Sequence, residues 1–220
     1  MNKQKIDFDL YLIADTEQVK KDLISSVNKA IDGGVKVVQL RGKKMPAREF
    51  YTIGEKLRVL TNSSSVKLFI NDRIDIAMAL DADGVHLGQN SLPVRIVRDI
   101  SGEGFIIGVS THSMKEAQDA EAGGADFITF GPIFATPSKL VYGPPVGLRR
   151  LANVAQSLKI PVFAIGGIKK ERIRGAIEKG ACGVAVISAI LNSGSVTSAA
   201  SGMIKELKLC KGVLPYACAV

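Results

Sequence analysis

The chain of 220 residues contains no tryptophan, only two histidines and three cysteines, and aromatic residues make up 5% of it. Each shortage removes a class of function. Cys182, Cys210 and Cys218 form no C-x-x-C pair, and neither His86 nor His112 lies at metal-ligand spacing from them, which predicts neither a disulfide nor a zinc site. No uninterrupted apolar run approaches the roughly 18 residues of a membrane span. The N-terminal "MNKQKIDFDL" lacks the apolar stretch and small-residue cleavage site of a signal peptide, so the expected compartment is the cytoplasm.

Nucleic-acid binding is disfavoured in spite of a formal charge of +8. The lysines and arginines are spread over helical segments such as "MKEAQDAEA" and "KKERIRGAIEKG", mixed with glutamate, and basic-aromatic clusters are absent. A solvated surface accounts for them. The same positive balance suits steering of a small anionic substrate.

What is present is a recurring unit. Short β-branched runs appear at "LYLIAD" (Leu10 to Asp15), "VKVVQLR" (Val35 to Arg41), "KLFIN" (Lys67 to Asn71), "GVHL" (Gly84 to Leu87), "FIIGVS" (Phe105 to Ser110), "DFITFG" (Asp126 to Gly131), "PVFAIGG" (Pro161 to Gly167) and "GVAVIS" (Gly183 to Ser188). Most are continuous rather than alternating, as expected of parallel strands covered on both faces. Helical periodicity separates them, for example Val19, Leu23, Ile24, Val27 and Ile31, and "DGGVKVV", "DADGVHL", "AGGADFI" and "KGACGVAV" each put glycine where a helix must stop. With no linker or break in composition, residues 1–220 are expected to form one domain, a single (β/α)8 TIM barrel, with a doubly wound sheet as the alternative. The tail "CKGVLPYACAV" (210–220) fits neither strand nor helix pattern.

In such barrels the active site lies at the carboxyl ends of the strands. Strand alternation brings Gln39 and Arg41, with Lys43 beyond them, to one side near the mouth, where an amide and two cations suit a polyanion; a salt bridge to a neighbouring carboxylate is the structural alternative. Gly166-Gly167-Ile168 and Ile187-Ser188 follow the seventh and eighth strands, from which barrels often build a phosphate site out of backbone N–H groups. Asn71-Asp72 supplies oxygens for a magnesium ion held largely by phosphate and water, or Asp72 caps the next helix. His112 is a candidate proton shuttle or a structural residue, and His86, inside an apolar run, reads as a hydrogen-bonded core residue. The long connection "GPIFATPSKLVYGPPVGL" carries Thr136, Ser138 and Lys139 and is suited to fold over the mouth and exclude water.

Taken in order, "QLRGK", "FINDR", "DADGVHLGQ", "IGVSTHS", "GADFITFGPIFATPSK", "AIGGI" and "GVAVISAI" resemble the thiamine phosphate synthase and thiazole tautomerase family, over about residues 10–192. The resemblance implies a synthase that joins a hydroxymethylpyrimidine diphosphate to a thiazole phosphate, with Mg2+, through loss of diphosphate to a stabilised carbocation. It implies diphosphate and pyrimidine ligands at Gln39, Arg41, Lys43, Asn71 and Lys139, and Ser110 at the pyrimidine. Thr136 and Ser138 would lie near thiazole and diphosphate, and Gly167, Ile187 and Ser188 around the thiazole phosphate. Metal binding would fall to Asp72 and to Ser91, which stands where synthases of the family usually carry a second aspartate. That serine and Arg73 lean toward the tautomerase branch, an aromatising isomerase expected to use His112. A non-catalytic phosphate-binding regulator is a third reading.

Overall fold

The computed structural model describes residues 6–136 and 144–213. Strands β1 (Leu10–Asp15), β2 (Val37–Arg41), β3 (Lys67–Asn71), β4 (Gly84–Leu87), β5 (Ile106–Thr111), β6 (Phe127–Phe130), β7 (Val162–Ile165) and β8 (Gly183–Val186) fall on the eight predicted runs. All neighbouring pairs are parallel, and β8 returns to β1 with Leu10 opposite Val184, so the sheet closes as a (β/α)8 barrel. Closure removes the doubly wound alternative.

The helices are α1 (Leu23–Asp32), α2 (Ala47–Ser63), α3 (Ile74–Ala79), α4 (Val94–Ser101), α5 (Met114–Ala122), α6 (Gly147–Ser157), α7 (Ile173–Ile177), α8 (Ser188–Leu191) and α9 (Val196–Val213). Their ends follow local chemistry. The Asp22 carboxylate accepts the Ser25 N–H at 2.6 Å to start α1, and the Gly33 N–H closes it on the Lys29 carbonyl. The four-residue α8 leaves most of the covering in the last unit to α9. Helix α9 also runs through Val213, so Cys210 to Val213 belong to it rather than to an irregular tail. Buried Cys210 and an ion pair from Lys211 to Asp9 hold that last turn, in spite of Gly212. Residues 214–220 lie outside the described residues. A second expectation also fails: Cys182 is disulfide-bonded while Cys210 is free. The lack of a C-x-x-C motif excludes only pairs close in sequence.

Strand alternation divides the apolar residues into two layers. Outward side chains such as Leu12, Val38, Leu40, Leu68 and Ile70 pack under the helices, whereas Tyr11, Ile13, Val37, Phe69, Ile106, Phe127 and Phe163 fill the barrel. Phe8 plugs the amino end, its ring 5.7 Å from Tyr11 and 5.4 Å from Phe163. Three interior phenylalanines each face a glycine on a neighbouring strand: Phe69 opposite Gly84, Phe127 opposite Gly108, and Phe163 opposite Gly183. The missing side chain is the space that the ring fills. A Cβ on Gly84 would stand 2.4 Å from the Ile106 carbonyl oxygen and 2.5 Å from the Phe69 ring. Gly84→Ala is therefore expected to lower stability by about 1–3 kcal/mol in urea denaturation, because backbone as well as a ring must shift.

Two carboxylates repeat one structural device. Asp83, just before β4, accepts the Leu68 N–H at 2.8 Å and pairs with Arg58 at 2.7 Å. Asp126, just before β6, accepts the Ile107 N–H at 2.8 Å and pairs with Arg98 at 2.6 Å. Each locks a strand start to the neighbouring strand and the preceding even helix. These acids serve the scaffold and lie at the end of the barrel opposite the mouth.

Candidate active site

Polar side chains gather at the carboxyl ends of the strands, as inward-facing positions leave the aromatic interior. Asp15 ends β1 fully buried and accepts from Glu17 N at 2.9 Å, Gln18 N at 3.2 Å and Gln18 Nε2 at 3.0 Å. Its other charge partner is Arg41, directly opposite in register on β2. The salt-bridge alternative for Arg41 is thus realised, yet its side chain keeps 21% exposure toward solvent. One carboxylate leaves most of a five-donor guanidinium available, so pairing orients Arg41 without consuming it.

Two residues earlier on β2, Gln39 is buried and donates through Nε2 to Asn71 Oδ1 at 3.0 Å, joining β2 to the end of β3. Its Oε1 is buried without a hydrogen-bond partner among the described residues. Lys43 is exposed beyond Arg41. On β4, β5 and β6, His86, Ser110 and Thr129 converge: His86 Nε2 lies 3.0 Å from Ser110 Oγ and 3.4 Å from Thr129 Oγ1. His86 is thus the hydrogen-bonded core residue expected from its sequence context.

Burial, and secondarily the charge of Arg41, pushes the His86 pKa down to about 3. The folded ring therefore stays neutral where an unfolded one, near the usual 6.5, takes a proton. Stability from this residue is complete above about pH 6.5 and falls toward pH 3 by about 1.4 kcal/mol per unit. His86→Gln is expected to remove that component, which then appears as the difference between the wild-type and variant stability–pH profiles measured by urea denaturation.

Asp72 follows β3 in the left-handed region at φ 68°, its N–H donating to the His86 carbonyl at 2.9 Å. Aspartate tolerates this backbone better than most side chains. The turn leaves its carboxylate exposed, and the residue at the start of α3 is Arg73, so Asp72 is not the helix cap. Arg73 itself turns to Asp75, with contacts of 2.8 and 2.5 Å. Ser91 Oγ accepts the Gly88 N–H at 2.7 Å and shapes the turn after β4. His112 lies at the same end but is exposed, with its backbone N–H and Nδ1 both directed to Glu116 at 2.8 and 3.1 Å. Glu116 also sits in the first turn of α5, which Ser113 caps, so His112 belongs to a helix-start arrangement at the rim.

The long connection after β6 is anchored at its base. Ile133 N and Phe134 N donate to Ile165 O and Gly166 O at 2.8 and 3.0 Å, and Val146 N returns to Pro132 O at 2.8 Å. Gly166 and Gly167 both have positive φ, 94° and 64°, and a Cβ on Gly167 would stand 2.8 Å from Phe134 Cβ. The glycine pair thus permits the connection to lie directly on the end of β7. Arg172 locks the contact, donating to Gly167 O at 2.7 Å with its guanidinium 4.7 Å from the Phe134 ring. Thr136 is half-buried at the end of this stem. Ser138 and Lys139 lie outside the described residues. Ile187 is half-buried after β8, and exposed Ser188 opens α8.

Asp15, Thr129 and Arg172 are the site residues not anticipated from sequence. Asp15 carried a usable signal, an acid at the carboxyl end of a strand. Arg172 carried none, since the ring it rests against, Phe134, comes from the connection after β6.

A closed parallel barrel with its uncommitted polar groups at the carboxyl ends of the strands is the architecture of a (β/α)8 enzyme. Residues 10–190 match the family described as thiamine monophosphate synthase, and the chain belongs to that family. It is 50% identical over 188 residues to a putative thiamine-phosphate synthase of Geobacter sulfurreducens, spanning 85% of this chain and 88% of the relative. It is 44% identical over 191 residues to the thiamine-phosphate synthase of Syntrophomonas wolfei, spanning 86% and 91%. Among solved structures, thiamine phosphate pyrophosphorylase from Pyrococcus furiosus superposes with a TM-score of 0.84 at 39% identity, covering 92% of this chain and 96% of that one.

Proposed function

We propose that this protein is a thiamine-phosphate synthase that alkylates a thiazole phosphate with a hydroxymethylpyrimidine diphosphate. The observation that carries the reading is that 44% identity to a thiamine-phosphate synthase, across most of both chains, coincides with Gln39, Arg41, Asn71 and Ser110 meeting at one mouth. Gln39 and Asn71 hold each other in one orientation and offer amide groups for a heteroaromatic edge. Arg41, fixed by Asp15, and Lys43 meet the diphosphate, and Lys139 completes that grip from the connection after β6. Preorganised charge of this kind stabilises a leaving group without reorganisation during the reaction.

Gly167, Ile187 and Ser188 are the positions for the thiazole phosphate, with backbone N–H groups as donors. Thr136 and Ser138 are assigned as the hydroxyl pair for the thiazole and the diphosphate. Covering the mouth excludes water from the pyrimidinylmethyl cation, so that the thiazole nitrogen captures it. No protein base is needed for that bond.

Among the described residues, no group of three or more acids, histidines or cysteines converges to hold a metal. The donors present still suit magnesium, which commonly takes one or two protein carboxylates and completes its shell with phosphate and water. Asp72 offers an exposed carboxylate, and Ser91 a neutral oxygen already accepting from Gly88 N. When bound, the ion would offset charge on the departing diphosphate. Among the described residues no helix is long and apolar enough to cross a membrane. The reading places the enzyme in the cytoplasm, acting on small phosphorylated molecules. Product formation from both substrates by the purified protein, across a magnesium titration, tests it.

A further inference from the structure

We propose that His86 is a positioning residue that turns the Ser110 hydroxyl toward the mouth as a hydrogen-bond donor, so that the site selects an acceptor nitrogen on the pyrimidine ring. The substrate part of this inference rests on the synthase reading; the hydroxyl orientation does not. His86 and Thr129 are buried at 2% and 1% exposure, whereas Ser110 is half-buried above them.

Proton bookkeeping fixes the direction. The ring is buried with only hydroxyls at Nε2 and nothing to accept from Nδ1 among the described residues, an environment that suits a neutral imidazole, in which only one nitrogen carries hydrogen. Nδ1 is buried with no partner among the described residues. A buried N–H left without an acceptor is rarer than an acceptor left without a donor, which assigns the hydrogen to Nε2. Nε2–H then donates to Ser110 Oγ at 3.0 Å, and the Thr129 hydroxyl approaches the same oxygen at 3.5 Å. A serine hydroxyl has two acceptor lone pairs and one hydrogen. With one lone pair taken by Nε2–H and the Thr129 hydroxyl directed at the other, the hydrogen is left for a ligand above.

The imidazole is held in place by shape. Its ring lies 5.5 Å from Tyr11 and 5.7 Å from Phe127, centroid to centroid. Gly108 supplies the remaining room, since a Cβ there would stand 2.6 Å from Nδ1.

Two measurements test the proposal. Nitrogen-15 NMR of the histidine-labelled full-length protein at pH 7 is expected to show the His86 hydrogen on Nε2; a hydrogen on Nδ1 overturns the assignment. In kinetics, His86→Met is expected to raise KM for the pyrimidine diphosphate about tenfold and leave KM for the thiazole phosphate unchanged. His86→Gln, which retains an N–H donor, should recover most of the loss. In a Ser110→Ala background His86→Met should add less than about twofold, because both changes remove one interaction. Losses that multiply, or that fall equally on both substrates, contradict the proposal. Should His86→Met fail to fold, the NMR result and His86→Gln, which is expected to stay close to wild type, decide it. A wild type that makes no thiamine phosphate defeats the functional reading, and the place of the hydrogen still decides the hydroxyl orientation.

Discussion

Asp15→Ala is expected to cost about 3–5 kcal/mol of stability and to lower kcat/KM by more than about 100-fold. The carboxylate is fully buried, accepts two backbone N–H groups and the Gln18 amide, and pairs with Arg41. Its removal leaves those donors unmatched and a largely buried guanidinium without its countercharge. It also frees a cation whose direction the barrel fixes, and a diphosphate ligand displaced by an ångström loses much of its effect on the transition state. Asp15→Asn preserves an acceptor oxygen but not the charge, so it should fall between wild type and alanine in urea midpoint. Wild-type stability and kinetics in Asp15→Ala would show that the pair is incidental.

The second large effect concerns the anchor of the long connection. Gly167→Val should reduce kcat/KM by about 100-fold, mainly through KM for the thiazole phosphate, and destabilise the fold by about 1–3 kcal/mol. At φ 64° a β-branched side chain is strained, and its Cβ would stand 2.8 Å from Phe134 Cβ and 2.9 Å from the Ala135 carbonyl oxygen. Relief requires the stem to move off β7, which also breaks the contact of Arg172 with the Phe134 ring. Steady-state kinetics with each substrate varied in turn, beside a thermal melt, separates the two losses. A variant that loses stability but keeps both KM values would remove Gly167 from the site.

The strands were legible because parallel strands buried on both faces leave continuous β-branched runs, and glycines mark several of the returns, as at Gly33, Gly102 and Gly123. Gln39, Arg41 and Asn71 were legible because their strand-end positions alone bring them to the mouth. What the linear pattern concealed was pairing at a distance. Asp15 looked like the last residue of a strand until Arg41 met it across β2. Arg172 looked like part of a solvated basic face, although its plane rests on Phe134. Helix α9 continues through Gly212 because tertiary contacts at Cys210 and Lys211 outweigh a local stop signal. Asp72 failed as a helix cap because the chain passes through the left-handed region there and the helix begins a residue later than a cap at Asp72 would require.

The most direct test of the account is formation of thiamine phosphate by the purified protein, supplied with both phosphorylated substrates, across a magnesium titration with a chelator control. The expected result is metal-dependent product, with Asp72 and Ser91 sufficing as the protein's oxygens at the metal. Absence of product would contradict it; accompanied by thiazole tautomerisation that His112→Ala abolishes, it would move the protein to the isomerase branch, and accompanied by ligand binding without any turnover, to a regulator.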